Sequence, residues 1–359
     1  MKKTADRKLP CGKLPIRLLQ GLLKRYSTKD KTVLIKPSIG VDAAVIKFGG
    51  QCLVAKTDPV TFVAEDMGSY AININANDIA VMGAVPRWFL AAILLPEKKT
   101  TVGCVNKIFK ELDLACKNAG VALCGGHTEI TASVTRPTII GLMLGSVKKN
   151  NLITSMNVCP GDDLILTKGI AIEGTSIIAR EYPNELEKTF SAGFIKRCKG
   201  FLKRPGISVV KDVRILLRCA RVHAMHDPTE GGLAAGLHEL AIASRTGIIV
   251  YEERIPVLKE TQRLCQRFGL DPMGLIASGA LIASVDARDT TRAIKGLEAQ
   301  GIKAYHIGSV VHSSHGVRIV KDGRKKNLRL FHRDEFTKLF DFKEVLQDEK
   351  PRDDPERRA

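Results

Sequence analysis

Four short segments each set a carboxylate at the edge of an apolar or glycine-rich element. They are Gly40-Val41-Asp42-Ala43-Ala44, Lys56-Thr57-Asp58-Pro59, Ala76-Asn77-Asp78-Ile79-Ala80-Val81-Met82-Gly83-Ala84 and Cys124-Gly125-Gly126-His127-Thr128-Glu129. Ionised carboxylates repel one another and prefer water to an apolar neighbour. Gathering several of them calls for a cation. Glycine beside carboxylate suggests a hard divalent metal that holds a phosphorylated ligand.

The elements around these acids bring some of them together. Residues 44–48 and 52–56 read as two strands, and Gly49-Gly50 between them is a two-residue hairpin signal. Such a loop sets Phe48 opposite Gln51 and, counting outward, Asp42 opposite Thr57. Asp58 is then a diagonal neighbour of Asp42 at the open end of the hairpin. Either acid alone is readily a turn cap; the two together favour a site. A helix follows from about Met67 to Met82, ended by Gly83 and Pro86. It carries Asn73, Asn75, Asn77 and Asp78, poor mid-helix residues that compete for backbone hydrogen bonds. Such a conflict between local propensity and position tends to mark a functional site.

The stretch after Trp88 reads as a buried strand. Thr100 to Asn118 reads as a helix laid on a core, with Val102, Val105, Ile108, Phe109, Leu112 and Cys116 on its apolar face. Val121 to Cys124 reads as a short strand running into the glycine segment, and Pro137 to Val147 as another strand. This alternation implies a mixed sheet covered by helices. A polar break near residues 148–160 precedes a second unit that opens with strand Leu164–Thr167. Within it, His226-Asp227-Pro228-Thr229-Glu230-Gly231-Gly232-Leu233 precedes an amphipathic run through Ser244. Asp227 as N-cap, Pro228 at N1 and Glu230 at N3 would form a capping box. Gly231-Gly232 fit that reading less well. They would let a ligand approach a helix N-terminus that favours phosphate. Lys168-Gly169 and Glu173-Gly174-Thr175 form a similar, weaker candidate.

Composition sets outer limits. The 359 residues suffice for two domains with proper cores, and 44% hydrophobic content is ordinary for a globular protein. No apolar run approaches a membrane span, and the basic N-terminal stretch carries no signal-peptide core. Nine cysteines without metal-ligand spacing read as reduced thiols, hence a cytoplasmic protein. Lys and Arg total 56 against 38 acids, a net charge of +18 that raises a nucleic-acid partner. The basic residues are dispersed and aromatics are only 5%, so a solvated surface that attracts anionic substrates is preferred.

Taken in order and spacing, Asp42-Ala-Ala-Val, Thr57-Asp58, Asn77-Asp78-Ile-Ala-Val-Met-Gly-Ala, Gly125-Gly126-His127-Thr and His226-Asp-Pro-Thr-Glu-Gly-Gly-Leu resemble the aminoimidazole ribonucleotide (AIR) synthase, or PurM-like, superfamily. The resemblance runs from about Gly12 to Val320 and is strongest to HypE and HypE-like AIR synthase-related proteins of hydrogenase maturation. It implies an α+β (mixed α/β), two-domain fold. An N-terminal α/β domain (1–155) would bind ATP and Mg²⁺ and dimerise into a β-barrel; a C-terminal α/β sandwich domain would span 156–342. The charged tail 343–359 is expected to be disordered. The resemblance further implies ATP and Mg²⁺ as cofactors and Asp42, Asp58, Asp78 and Asp227 as metal ligands. It adds Asn77, Gly125, Gly126, His127, Gly231 and Gly232 to the nucleotide site. The implied chemistry is phosphorylation of an oxygen on an unidentified small-molecule or protein-bound substrate. The implied partners are nucleotide, substrate, a second copy of the chain and a maturation protein, with neither membrane nor nucleic acid.

The chain departs from the family in four places. Val41 stands where the family often has an acid. His127 replaces a glutamate of AIR synthase, which leaves the role of Glu129 open. Cys11-Gly12-Lys13 only faintly resembles the reactive terminus of selenophosphate synthetase. HypE carries its substrate on a C-terminal cysteine, whereas this sequence closes on Arg-Arg-Ala359 with Cys265 as its last cysteine. Dehydration of a thiocarboxamide on its own tail is therefore not expected. A small-molecule kinase like thiamine-monophosphate kinase and a non-catalytic nucleotide-binding maturation factor are the alternatives.

Overall fold

In the computed structural model, residues 8, 9 and 12–340 are described; Cys11 and the tail 343–359 lie outside them. Two sheets form, each with helices against it. The first contains β1 (Val33–Ile35), β2 (Ala44–Phe48), β3 (Gln51–Val60), β4 (Val85–Pro96), β5 (Ala122–Thr131) and β6 (Thr138–Val147), in the order β1-β2-β3-β6-β4-β5. The β2–β3 hairpin has the expected register, Phe48 opposite Gln51 and Ala44 opposite Ala55. Gly49 turns it with a φ of 57°, a conformation only glycine adopts freely. β4 and β5 run parallel, joined by a crossover helix; the other neighbours are antiparallel.

Helix α1 (Ile16–Arg25) precedes the sheet, α2 (Met67–Val81) and α3 (Val102–Ala119) cover it, and α4 (Ile172–Glu181) opens the helical layer of the second unit. In α3, Ile108, Leu112, Ala115 and Cys116 are buried. Val102 and Phe109 are exposed, so the apolar face is narrower than expected. Gly120 ends the helix in the left-handed conformation, its N–H returning to Cys116 and Lys117.

Nearly every residue of α2 is buried, which explains its lack of amphipathic character. One side packs on the first sheet through Ile72, Ile74 and Ile79. Ala80 and Val81 belong instead to the core of the second unit, with Ile165, Val213, Leu216 and Met225. Asn77 and Asp78 of α2 thus lie in the seam between the two units, not on a wet surface.

The second sheet contains β7 (Asp163–Thr167), β8 (Val222–His226), β9 (Gly247–Tyr251), β10 (Ile282–Val285), β11 (Ala304–Val311), β12 (Val317–Lys321) and β13 (Arg324–Asn327), in the order β13-β12-β9-β11-β7-β10-β8. A buried helix, Gly232–Ser244, follows β8. No helix among the described residues is long and apolar enough to cross a membrane.

Two local expectations are corrected. The segment Gly125–Glu129 is part of strand β5, not a loop beyond it. Gly126 is needed because a Cβ there would lie 1.9 Å from the Ala91 oxygen of β4. The helix after β8 is capped by Gly231 at a φ of 83°, not by Asp227, so no capping box forms.

Candidate functional site

Freed from capping, Asp227 lies at the end of β8 in the seam between the sheets. Its ligand atom and those of Asp42 and Asp78 all lie within 4.8 Å of one another. The three arrive by different routes. Asp42 precedes β2 on a loop that Gly40 brings against the helix Gly232–Ser244; a Cβ on Gly40 would meet the Glu239 backbone oxygen at 2.4 Å. Asp78 projects from α2. All three side chains are buried.

Four of the six carboxylate oxygens have no hydrogen-bond partner: Asp42 Oδ2, Asp78 Oδ2 and both of Asp227. Orphaned buried carboxylate oxygens are costly. Burial pushes the Asp227 carboxyl well above its ordinary range, and the charges of Asp78 and Asp42 push it further. Burial likewise raises Asp78 to about 7, against the opposing pull of Lys56. A set of convergent, all-oxygen, unpartnered acids is the donor set a hard divalent cation takes.

Cationic side chains flank the acids. The His226 ring stands between Asp42 Oδ1, 2.7 Å from Nδ1, and Glu239 Oε2, 3.1 Å from Nε2. Burial alone would lower its pKa; the two carboxylates outweigh burial and raise it well above the usual range. An imidazolium therefore fixes the Asp42 side chain from the second unit. Lys56 Nζ lies 3.2 Å from Asp78 Oδ1 and 3.8 Å from Asp58 Oδ2. Asp58 thus stands beside the three-acid group, joined to it through Lys56, with its side chain 30% exposed. Lys56 and His226 join the site although the sequence reading assigns them no part in it. A lysine two residues before an expected metal acid was the available signal.

The other expected residues fall in three places. Asn77 bridges the seam: its Nδ2 donates to the Ile207 oxygen at 2.8 Å and its Oδ1 accepts from the Val209 N–H at 2.8 Å. Asn75 donates to the Ala71 and Asp58 oxygens. At the glycine loop, the Gly231 N–H donates to Asp334 Oδ2 at 2.7 Å. Gly232 is explained by packing, since its Cβ would lie 2.5 Å from the Met273 oxygen. Lys168 is held by Ser208, Gly206 and Asp212. Glu173 is buried, and burial raises its carboxyl to about 8. Gly125, Gly126, His127 and Glu129 lie on β5, an exposed strand three positions from β3 in the sheet, about 14 Å away. His127 Nε2 is 3.4 Å from Glu129 Oε2.

A cavity opens beside Asp58. Glu173, Glu230, Phe62, Ile276 and Lys13 are among the residues that line it. Lys13 Nζ donates to Thr229 Oγ1 at 3.0 Å, so the segment preceding α1 reaches the loop after β8. A second group, Cys159, Asp162 and His223, also lies within 4.8 Å. There the Asp162 carboxylate is already engaged by the Cys159 N–H, Ser284 Oγ and His223. It lacks the orphaned oxygens of the first group.

The chain belongs to the AIR synthase related proteins: their N-terminal domain matches residues 40–147 and their C-terminal domain residues 159–321. It is 29% identical to a putative hydrogenase expression/formation protein of Methanocaldococcus jannaschii, over 84% of this chain and 90% of that one. It is 27% identical to the carbamoyl dehydratase HypE of Cupriavidus necator, over 75% and 76% of the two chains. Among solved structures, a HypE–HypF complex superposes with a TM-score of 0.71 at 23% identity, covering 88% of this chain and 99% of that one. HypE in complex with ATP gives 0.68 at 22%, covering 89% and 96%. A ThiL complexed with AMPPCP and TMP gives 0.66 at 20%, covering 87% and 93%. These likenesses establish the two-domain fold.

Proposed function

We propose that the protein is an ATP- and Mg²⁺-dependent enzyme that phosphorylates, and so activates, an oxygen of a small-molecule or protein-bound acceptor. The observation that carries this reading is the convergence of Asp42, Asp78 and Asp227 with four oxygens unpartnered. These acids, with Asp58 beside them, would hold Mg²⁺. The ion, when bound, would neutralise triphosphate charge. The chain's own residues do the positioning. His226 fixes Asp42 and Asn77 fixes the seam. The cavity beside Asp58 would take the acceptor, its apolar wall excluding water from the reacting oxygen.

The reading includes a homodimer. Among the described residues β5 pairs with β4 alone and offers its outer edge along Ala122–Ile130, where every residue is exposed. A second copy pairing there would cover that edge and bring the exposed Gly125 and His127 against another chain. The complex of HypE with HypF makes a maturation protein a reasonable further partner. The solved ThiL carries AMPPCP and TMP, which favours a small-molecule kinase as the second reading.

Calorimetry with Mg²⁺ and ATP tests the central claim. Asp227→Asn keeps the side-chain shape and should weaken Mg²⁺-dependent nucleotide binding about 100-fold or more. Unchanged affinity would refute the site. The fate of phosphate separates the two readings, being released as free phosphate in the first and retained on a stable product in the second.

A further inference from the structure

The acid group is not neutral ground awaiting two ions, because a cation already stands in it. Lys56 leaves β3 beside Asp58 and reaches Asp78 Oδ1 at 3.2 Å. Its ammonium is 3.8 Å from Asp58 Oδ2, so one charge bridges two of the four acids. The side chain is 25% exposed and its head group points at carboxylates, not at bulk water. The oxygens left without a partner are on the other acids and on the far atom of Asp78: Asp42 Oδ2, Asp78 Oδ2 and the Asp227 pair. The site therefore divides into a lysine-filled half, Asp58 with Asp78 Oδ1, and an open half.

A cluster of four aspartates facing a triphosphate commonly takes two divalent ions, which clamp the reacting oxygens between them. Two ions and a lysine within hydrogen-bond distance of the same carboxylate would repel strongly at this depth. We propose that the Lys56 ammonium is a built-in counter-cation that takes one of the two cation positions among the aspartates. This protein then binds one divalent ion, held by Asp42, Asp78 and Asp227. The proposal rests on the reading of this cluster as a metal site.

Counting ions tests it without turnover. Mn²⁺ binding, followed by electron paramagnetic resonance or calorimetry with a non-hydrolysable ATP analogue, should give one ion per wild-type chain. Lys56→Met should expose the second position and bind two, or hold the first ion about tenfold more tightly. Lys56→Arg, which keeps the charge, should remain at one. Lys56→Thr suits a strand and should behave like Lys56→Met if the methionine variant fails to fold. Two ions on the wild type, or one ion of unchanged affinity on both uncharged variants, would overturn the proposal. No ion on the wild type would instead overturn the metal reading itself, and this inference with it.

Discussion

The two glycine-and-carboxylate motifs of the first unit look alike on paper and meet opposite fates. Asp78, in Asn77-Asp78-Ile-Ala-Val-Met-Gly-Ala, is buried in the seam with Asp42 and Asp227, which arrive from two other elements. His127 and Glu129, in Gly-Gly-His-Thr-Glu, stand on an exposed sheet edge, where their side chains meet each other. What separates them is what folds over them. α2 is covered on both sides, by the first sheet and by the core of the second unit. β5 has β4 on one side and, among the described residues, no strand on the other. The first motif is enclosed by its own chain; the second is left on an exposed edge.

The largest expected effect falls on the buried group. Asp78→Asn should cost about 100-fold or more in Mg²⁺-dependent nucleotide affinity, roughly 3 kcal/mol. Mg²⁺ with ATP should raise the melting temperature of the wild type but not of this variant. His127→Ala in a monomeric preparation should leave both measurements unchanged. Equal losses in the two variants would dissolve the contrast between the motifs.

Next comes the seam that assembles the group. Asn77→Ala removes two buried hydrogen bonds and leaves the Val209 N–H and the Ile207 oxygen unpaired. A loss of about 2 kcal/mol is expected in urea unfolding, because a buried polar group without a partner keeps its full desolvation cost. Stability within a few tenths of the wild type would mean that water replaces the amide.

A smaller effect is expected at the edge. Leu123 and Ile130 are exposed apolar residues on β5. Leu123→Glu with Ile130→Glu should turn a dimer into a monomer, seen as halved mass by light scattering. Nucleotide affinity should then fall about tenfold, with Mn²⁺ stoichiometry unchanged, since the acids of each chain remain in place. A wild type that is already monomeric would remove the second surface from the account.

Much of this was readable from sequence, and the failures share a cause. The hairpin register follows from a two-residue glycine loop and alternation, both local rules, and Phe48 stands opposite Gln51 as that count requires. The polar residues of α2 signalled a conflict, but not that Asn77 and Asp78 resolve it differently. Asn77 pairs with a backbone more than a hundred residues away, which no local pattern encodes. Asp227 read equally well as a helix cap because Asp-Pro-x-Glu fits capping chemistry. Only the left-handed Gly231 moves the helix start beyond it. At the glycine loop the Gly231 N–H meets the carboxylate of Asp334, a residue distant in sequence that no local pattern points to. The partners of Lys56 and His226 were likewise set by tertiary contact.

The smallest effect concerns a buried carboxyl that should not bind metal. Glu173 Oε2 has no hydrogen-bond partner, as with the acids of the centre, yet among the described residues Glu173 belongs to no three-residue group with metal-ligand spacing. Burial raises its pKa from 4.5 to about 8; contact with Ser278 opposes this, and the charges of Asp334 and Asp58 add to it. The unfolded chain therefore loses this proton near pH 4.5 while the folded chain holds it to about 8. The unfolded state binds fewer protons across that window, so the Glu173 contribution to stability declines as pH rises from 4.5 to 8 and is level above. Glu173→Gln removes this slope. The variant should match the wild type near pH 4 and exceed it by about 1 kcal/mol or more at pH 8.5, in paired urea melts. Asp334, raised to about 7, adds a slope of its own. Because the Asp334 charge also acts on Glu173, the Asp334 slope differs between the two proteins by their coupling alone, and the Glu173 slope dominates the difference. Added Mg²⁺ should leave the difference untouched, whereas it should stabilise the wild type over Asp78→Asn at every pH above 7. A Mg²⁺-dependent difference at Glu173 would show that an orphaned oxygen beside the cavity is a ligand too, and that the metal site extends beyond the three acids.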